Sequence, residues 1–154
     1  MLTTQTLSLL VRKLVKPCRL FRKQRRGAAA VEFAVVAPVF FLLVFGMIEY
    51  GRMVMVQQIV TNAAREGARV AVLDGSTTTA VQTAARNAMA SGSITITADK
   101  VTVSPNPPSN AKFGDPVSVT VTVPFNQVSW LPSPMYLGGK SMTATTTMRR
   151  ETVQ

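Results

Sequence analysis

The chain has no histidine, one cysteine and one tryptophan, and no acidic residue before position 32. Without histidine the commonest general base is missing, and with Cys18 as the lone thiol the usual zinc ligand sets are missing too. Cys18 lies in the basic first segment, so the rest of the chain has no thiol from which to build a disulfide. A free thiol in a reducing compartment is the simpler reading of Cys18; acylation beside a membrane is the other. Later acidic residues such as Asp74, Asp99 and Asp115 share no motif, and no glycine pattern suited to cradling phosphate occurs. An enzyme is therefore not expected, nor a cofactor, a metal or a small-molecule substrate.

What the chain does have is one long apolar run. Residues 33–48 read FAVVAPVFFLLVFGMI without a charge, and the wider stretch 28–48 contains only Glu32. As a helix that stretch extends about 31 Å, enough for a hydrocarbon core of roughly 30 Å. Eight of the 17 basic residues precede it, namely Arg12, Lys13, Lys16, Arg19, Arg22, Lys23, Arg25 and Arg26. Basic residues immediately before a first span hold that end in the cytoplasm, so the expected topology is single-pass with an exported C-terminus. No downstream basic surface with interleaved aromatics supports nucleic-acid binding. A secretory signal fits poorly, since no small-x-small pattern follows the apolar core.

The periodicities predict an α+β protein with room for one modest domain. Residues 1–26 alternate apolar and basic character, which suits a leader needing no fixed fold or a short amphipathic helix ending near Pro17. A long helix over 28–73 is expected, bent mildly at Pro38. Its first half is the transmembrane helix. Its second half carries Val56, Val60, Ala63, Gly67 and Val70 on one face and Gln57, Gln58, Thr61, Asn62, Arg65, Glu66 and Arg69 on the other. Gly46 and Gly51 flank the apolar end and permit close packing with another helix. Asp74-Gly75 ends the helix, and a second, shorter one follows over 76–89.

Beyond Gly92 the period falls from 3.6 to 2. Strands are expected at 94–97, 101–103, 117–123 and, more weakly, 141–148, forming a small antiparallel sheet. That sheet needs a helix over its valine face, and the amphipathic half of the long helix is the natural cover. The segments are thus a basic cytoplasmic leader (1–27), a transmembrane helix (28–48), its extracytoplasmic continuation (49–75) and an exported α+β region (76–154). Trp130 and Tyr136 fall in a proline-containing loop, where core packing and partner contact are equally open.

The most informative constellation is RRGAAAVEF, residues 25–33. A carboxylate inside an apolar run costs roughly 2.5–3.5 kcal/mol at mid-membrane and less near an end. Glu32 either reaches the headgroup layer or takes up a proton, or else it serves a purpose. A cut between Gly27 and Ala28 would place a new ammonium about 6 Å along the helix from Glu32. A neighbouring copy at a slightly different height could then pair its ammonium with this carboxylate, offsetting both desolvation costs. The competing reading is an uncleaved anchor carrying an extracytoplasmic interaction domain.

The stretch GAAAVEFAVVAPVFFLLVFGMIEYGRMVMVQQIVTNAAREGARVAV, residues 27–72, resembles the TadE-like family, the minor pilins or pseudopilins of tight-adherence pilus systems. The ending TATTTMRRE agrees more loosely. The resemblance implies a prepilin-peptidase site at Gly27 and Ala28, with Glu32 and Phe33 in assembly or recognition. It implies prepilin peptidase, other pilins or pseudopilins, pilus assembly proteins and the lipid bilayer as partners. The inner membrane of a bacterium is the implied location, with entry into a surface pilus after processing. AREGAR, residues 64–69, resembles the family pattern in the exported helix. By spacing alone Glu66 and Arg69 can pair, while Arg65 and Arg69 repel modestly. A solvated face and a partner surface through Arg65, Glu66 and Arg69 account for it equally well.

Overall fold

A computed structural model describes residues 21–131 and 135–151, with side chains from residue 27 onward. The amphipathic stretch before Pro17, Cys18 and the leader's side chains lie outside the described residues. The elements in order are helix α1 (Phe21–Ala71), helix α2 (Thr78–Ser91) and strands β1 (Val101–Ser104), β2 (Pro116–Pro124) and β3 (Ser141–Arg149). Three single-turn 3-10 segments intervene, at Ala98–Lys100, Pro108–Asn110 and Phe125–Gln127. This is the expected α+β class. Two compact units divide between Leu43 and Val44.

In the first unit, α1 presents large apolar side chains outward: Phe33 is 70% exposed, Val39 66% and Phe40 57%. Pro38 lies within the helix. Among the described residues one helix is long and apolar enough to cross a membrane, and its most apolar window is not buried in the protein at all. A soluble core helix would hide such a window; this one suits a single-pass topology.

The second unit begins on the same helix and is organised by two periods. Every fourth or third residue of α1 turns inward, burying Val56, Val60, Ala63, Ala64, Ala68 and Ala71. The sheet is a meander in the order β1-β2-β3, antiparallel throughout. Alternation puts Val117, Val119, Val121 and Val123 of β2 on the buried face, joined by Val101 and Val103 of β1. Each buried valine contributes about 1.5–3 kcal/mol as an upper bound. On the opposite face hydroxyls pair across β2 and β3, with Ser118–Thr147 at 2.7 Å, Thr120–Thr145 at 2.8 Å and Thr122–Thr143 at 3.2 Å. These cross-strand pairs satisfy the polar face and fix the register.

α2 contributes Val81, Ala85 and Met89 to the core. The Thr77 hydroxyl caps it by accepting from the Ala80 N–H at 3.2 Å. Thr77→Ala should therefore lower stability by about 1 kcal/mol, read as a shift in thermal unfolding, while Thr79→Ala should change little. Between the two helices Gly75 adopts φ +66°, the left-handed exit that glycine takes without penalty.

One expected strand is absent. Residues 94–97 alternate, and Ile94 and Ile96 are indeed buried, but the segment pairs with no strand. Its polar groups are taken elsewhere: the Ile94 N–H donates to Met89 O at 3.1 Å, and the Ile96 carbonyl accepts from Arg86 Nε at 3.1 Å. Alternation reports which side chains face inward, not who hydrogen-bonds the backbone. Near the end of the chain Arg150 is buried, donating to Pro108 O at 2.8 Å and to Asp74 Oδ1 at 3.2 Å. It ties β3 to the loop before β2 and to the exit of α1.

Candidate functional site

Gly27, Ala28, Glu32 and Phe33 all lie on α1 and all are exposed. A Cβ at Gly27 would meet nothing within 4 Å. Helical spacing sets Glu32 slightly more than one turn beyond Ala28. The segment is a bare helical surface bearing one carboxylate and one aromatic ring, open to another chain, to lipid or to an enzyme.

The three glycines expected at helix contacts differ in setting. Gly51 faces open space. Gly46 is covered from within the chain, since a Cβ there would stand 3.3 Å from Cε2 of the Tyr136 ring. Gly67 is enclosed on two sides: its Cβ would fall 3.1 Å from Val119 Cγ1 on β2 and 3.4 Å from Ala85 Cβ on α2. Residues 64–69 are thereby split. Ala64, Gly67 and Ala68 pack into the core, while Arg65 and Arg69 point outward and Glu66 is half-exposed.

On that outer face Arg69 Nη2 and Glu66 Oε1 approach to 2.6 Å. The hydrogen bond from Arg69, together with its charge, holds the Glu66 carboxyl below its ordinary value against a small opposing cost of burial. The reciprocal bond raises Arg69. Because the folded value for Glu66 is depressed, any stabilisation is present above its unfolded pKa and is lost as pH falls through the folded one. Solvent screens a pair this exposed, so its contribution to stability is slight.

Two functional-looking residues were missed by sequence reasoning, Glu49 and Arg52. Both sit just past the apolar run, and both are buried. Glu49, only 1% exposed, grips three successive backbone N–H groups of the loop after β2. Met135 N donates to Oε2 at 3.1 Å, Tyr136 N to both oxygens at 3.1 and 3.2 Å, and Leu137 N to Oε1 at 2.6 Å. Consecutive N–H groups turned toward one anion form a concave nest, and each bond is charge-assisted. One turn on, Arg52 Nε donates to Val128 O at 2.8 Å and its guanidinium lies 4.7 Å from the centre of the Trp130 ring. Gly46, Glu49 and Arg52 recur at every third position and so share a face of α1. That spacing was the available signal; the loop it binds is more than 75 residues away and left no trace in the pattern.

Trp130 and Tyr136 are consequently neither core residues nor loose ones. They are held against α1 by Arg52 and beside Gly46, yet remain 63% and 54% exposed. Among the described residues no cluster of three histidine, cysteine or acidic side chains could hold a metal ion.

The family model described as TadE-like protein matches residues 27–69, which takes in the open segment, the apolar run, Glu49, Arg52 and the split motif. No curated protein and no solved structure matches the chain. The family is one of non-catalytic structural pilins, and the match supports a role in pilus assembly.

Proposed function

We propose, from the premise that this is a TadE-like protein, that the chain is a pseudopilin-like component of a tight-adherence-type pilus or related secretion apparatus. The observation carrying this reading is the open helical surface at residues 27–33, set between a basic segment and the apolar run. In this account residues 1–27 are a cytoplasmic leader, 28–48 cross the inner membrane, and 49–75 continue the helix outside. Residues 76–154 form the exported α+β region.

Prepilin peptidase cuts between Gly27 and Ala28, and the eight leader charges leave with the leader. The new ammonium on Ala28 pairs with Glu32 of a neighbouring copy or another pilin, and Phe33 packs beside it. A charge that is costly in lipid becomes a contact once it is paired. Gly51 leaves room for a second helix to approach. Arg65, Glu66 and Arg69 form the outer face offered to assembly proteins.

The test is the N-terminus and intact mass of protein recovered from membranes. Wild-type chain should begin at Ala28. Gly27→Leu should retain the leader, because a large side chain blocks the close-fitting position before the scissile bond. Glu32→Ala, scored in a chain that already begins at Ala28, should insert at least as well yet fail to co-purify with the pilus machinery. Wild-type protein always intact from its leader, with both variants co-purifying normally, would overturn the reading and leave a permanent anchor.

A further inference from the structure

We infer that Trp130, Met135 and Tyr136 form an aromatic foot by which the folded unit stands on the lipid headgroup layer at the C-terminal edge of the span. The inference rests on the reading that the apolar run crosses a bilayer.

The first argument is position. Tyr136 covers Gly46, a residue inside the apolar run, and Trp130 lies over Arg52, which follows it closely. The loop is therefore fixed at the level where hydrocarbon gives way to headgroups. Phe45, Met47, Ile48 and Tyr50 of α1 are 40%, 67%, 39% and 62% exposed at this same level. Lipid, rather than water, is the medium that accepts such a helix surface.

The second argument is composition. Tryptophan and tyrosine concentrate at membrane interfaces because each joins a large apolar ring to one polar group. Trp130 and Tyr136 are exposed here, and Met135, the neighbour of Tyr136 in the chain, is 54% exposed as well.

The third argument is backbone chemistry. Irregular chain at membrane depth is tolerated only where its polar groups are satisfied. Met135, Tyr136 and Leu137 would each present an N–H to a medium poor in acceptors, and Glu49 takes all three. The same bonds offset the cost of a carboxylate at the end of a span. Arg52 likewise takes the Val128 carbonyl. The helix thus supplies the polar partners, while Trp130, Met135 and Tyr136 keep much of their apolar surface exposed.

Trp130 is the only tryptophan, so its emission reports the loop without mutation. The full chain is placed in vesicles of phosphatidylcholine with a minority of phosphatidylglycerol. The acyl chains carry bromine either near the headgroup or near the chain ends. Trp130 should emit toward the blue, lose emission chiefly to the shallow bromines, and resist aqueous iodide. Ready quenching by iodide without loss to shallow bromine would overturn the foot. So would shielding from both, since protein and not lipid would then cover the ring. A Trp130→Phe, Phe41→Trp chain supplies the control, and should lose emission chiefly to the deep bromines. If it does so while Trp130 ignores the shallow ones, the foot alone falls. If it does not, the spanning helix falls and takes the foot with it.

Discussion

Gly67→Leu should cost roughly 3 kcal/mol or more, at the upper end of what overpacking a core does. The reason is local and steric. A Cβ alone at this site would already stand 3.1 Å from Val119 Cγ1, and Leu adds three further carbons between α1, α2 and β2. Relief requires α1 to withdraw from the sheet it covers, which uncovers the valine face. Asn62→Ala supplies the comparison, because Asn62 is exposed on the same helix and its loss should stay within about 0.5 kcal/mol. Thermal unfolding and protease resistance of the detergent-solubilised chain read both. Equal stability of the two variants would mean that α1 does not cover the sheet as described.

Gly67 also shows what sequence could reveal. A small residue on a stripe of Val56, Val60 and Ala63 announces a close approach, because helical spacing decides which side chains share a face. The same logic, at period 2, located β1, β2 and β3. It misplaced residues 94–97, where two buried isoleucines look like half a strand but Arg86 and Met89 hold the backbone instead. The failure at Glu49 is of another kind. Burial of a carboxylate depends on donors brought in by the fold, and those donors are main-chain groups, identical in every residue type except proline. No pattern of side chains can advertise them. Arg52 is hidden for the same reason, since its acceptor is the Val128 carbonyl. The candidate segment at 27–33 is the reverse case. Its residues are exposed, so what can be read of it lies in composition and spacing.

Glu49→Ala should release the loop at 135–137 while leaving the sheet folded. Three N–H groups lose their acceptor at once. Hydrogen bonds to a charged group contribute about 1.5–3 kcal/mol each, but the loop escapes the full loss by swinging away from the helix to headgroup oxygens and water. The observable cost is then the free energy that held it down, on the order of 3 kcal/mol. Amide hydrogen exchange at Met135, Tyr136 and Leu137 should accelerate by about a hundredfold, since 1.4 kcal/mol is a factor of ten. Exchange at Val119 and Val121, which belong to the sheet core, should stay near the wild-type rate. Glu49→Gln should recover little of the protection. Its carbamoyl group keeps one oxygen but turns an NH2 toward a nest that contains only donors. Arg52→Ala should act more mildly, because it frees one carbonyl and one exposed ring rather than three buried N–H groups. Unchanged exchange at 135–137 in Glu49→Ala would show that the carboxylate does not hold the loop. Faster exchange throughout the sheet would show instead that Glu49 supports the whole unit, and that the loop is no separate device.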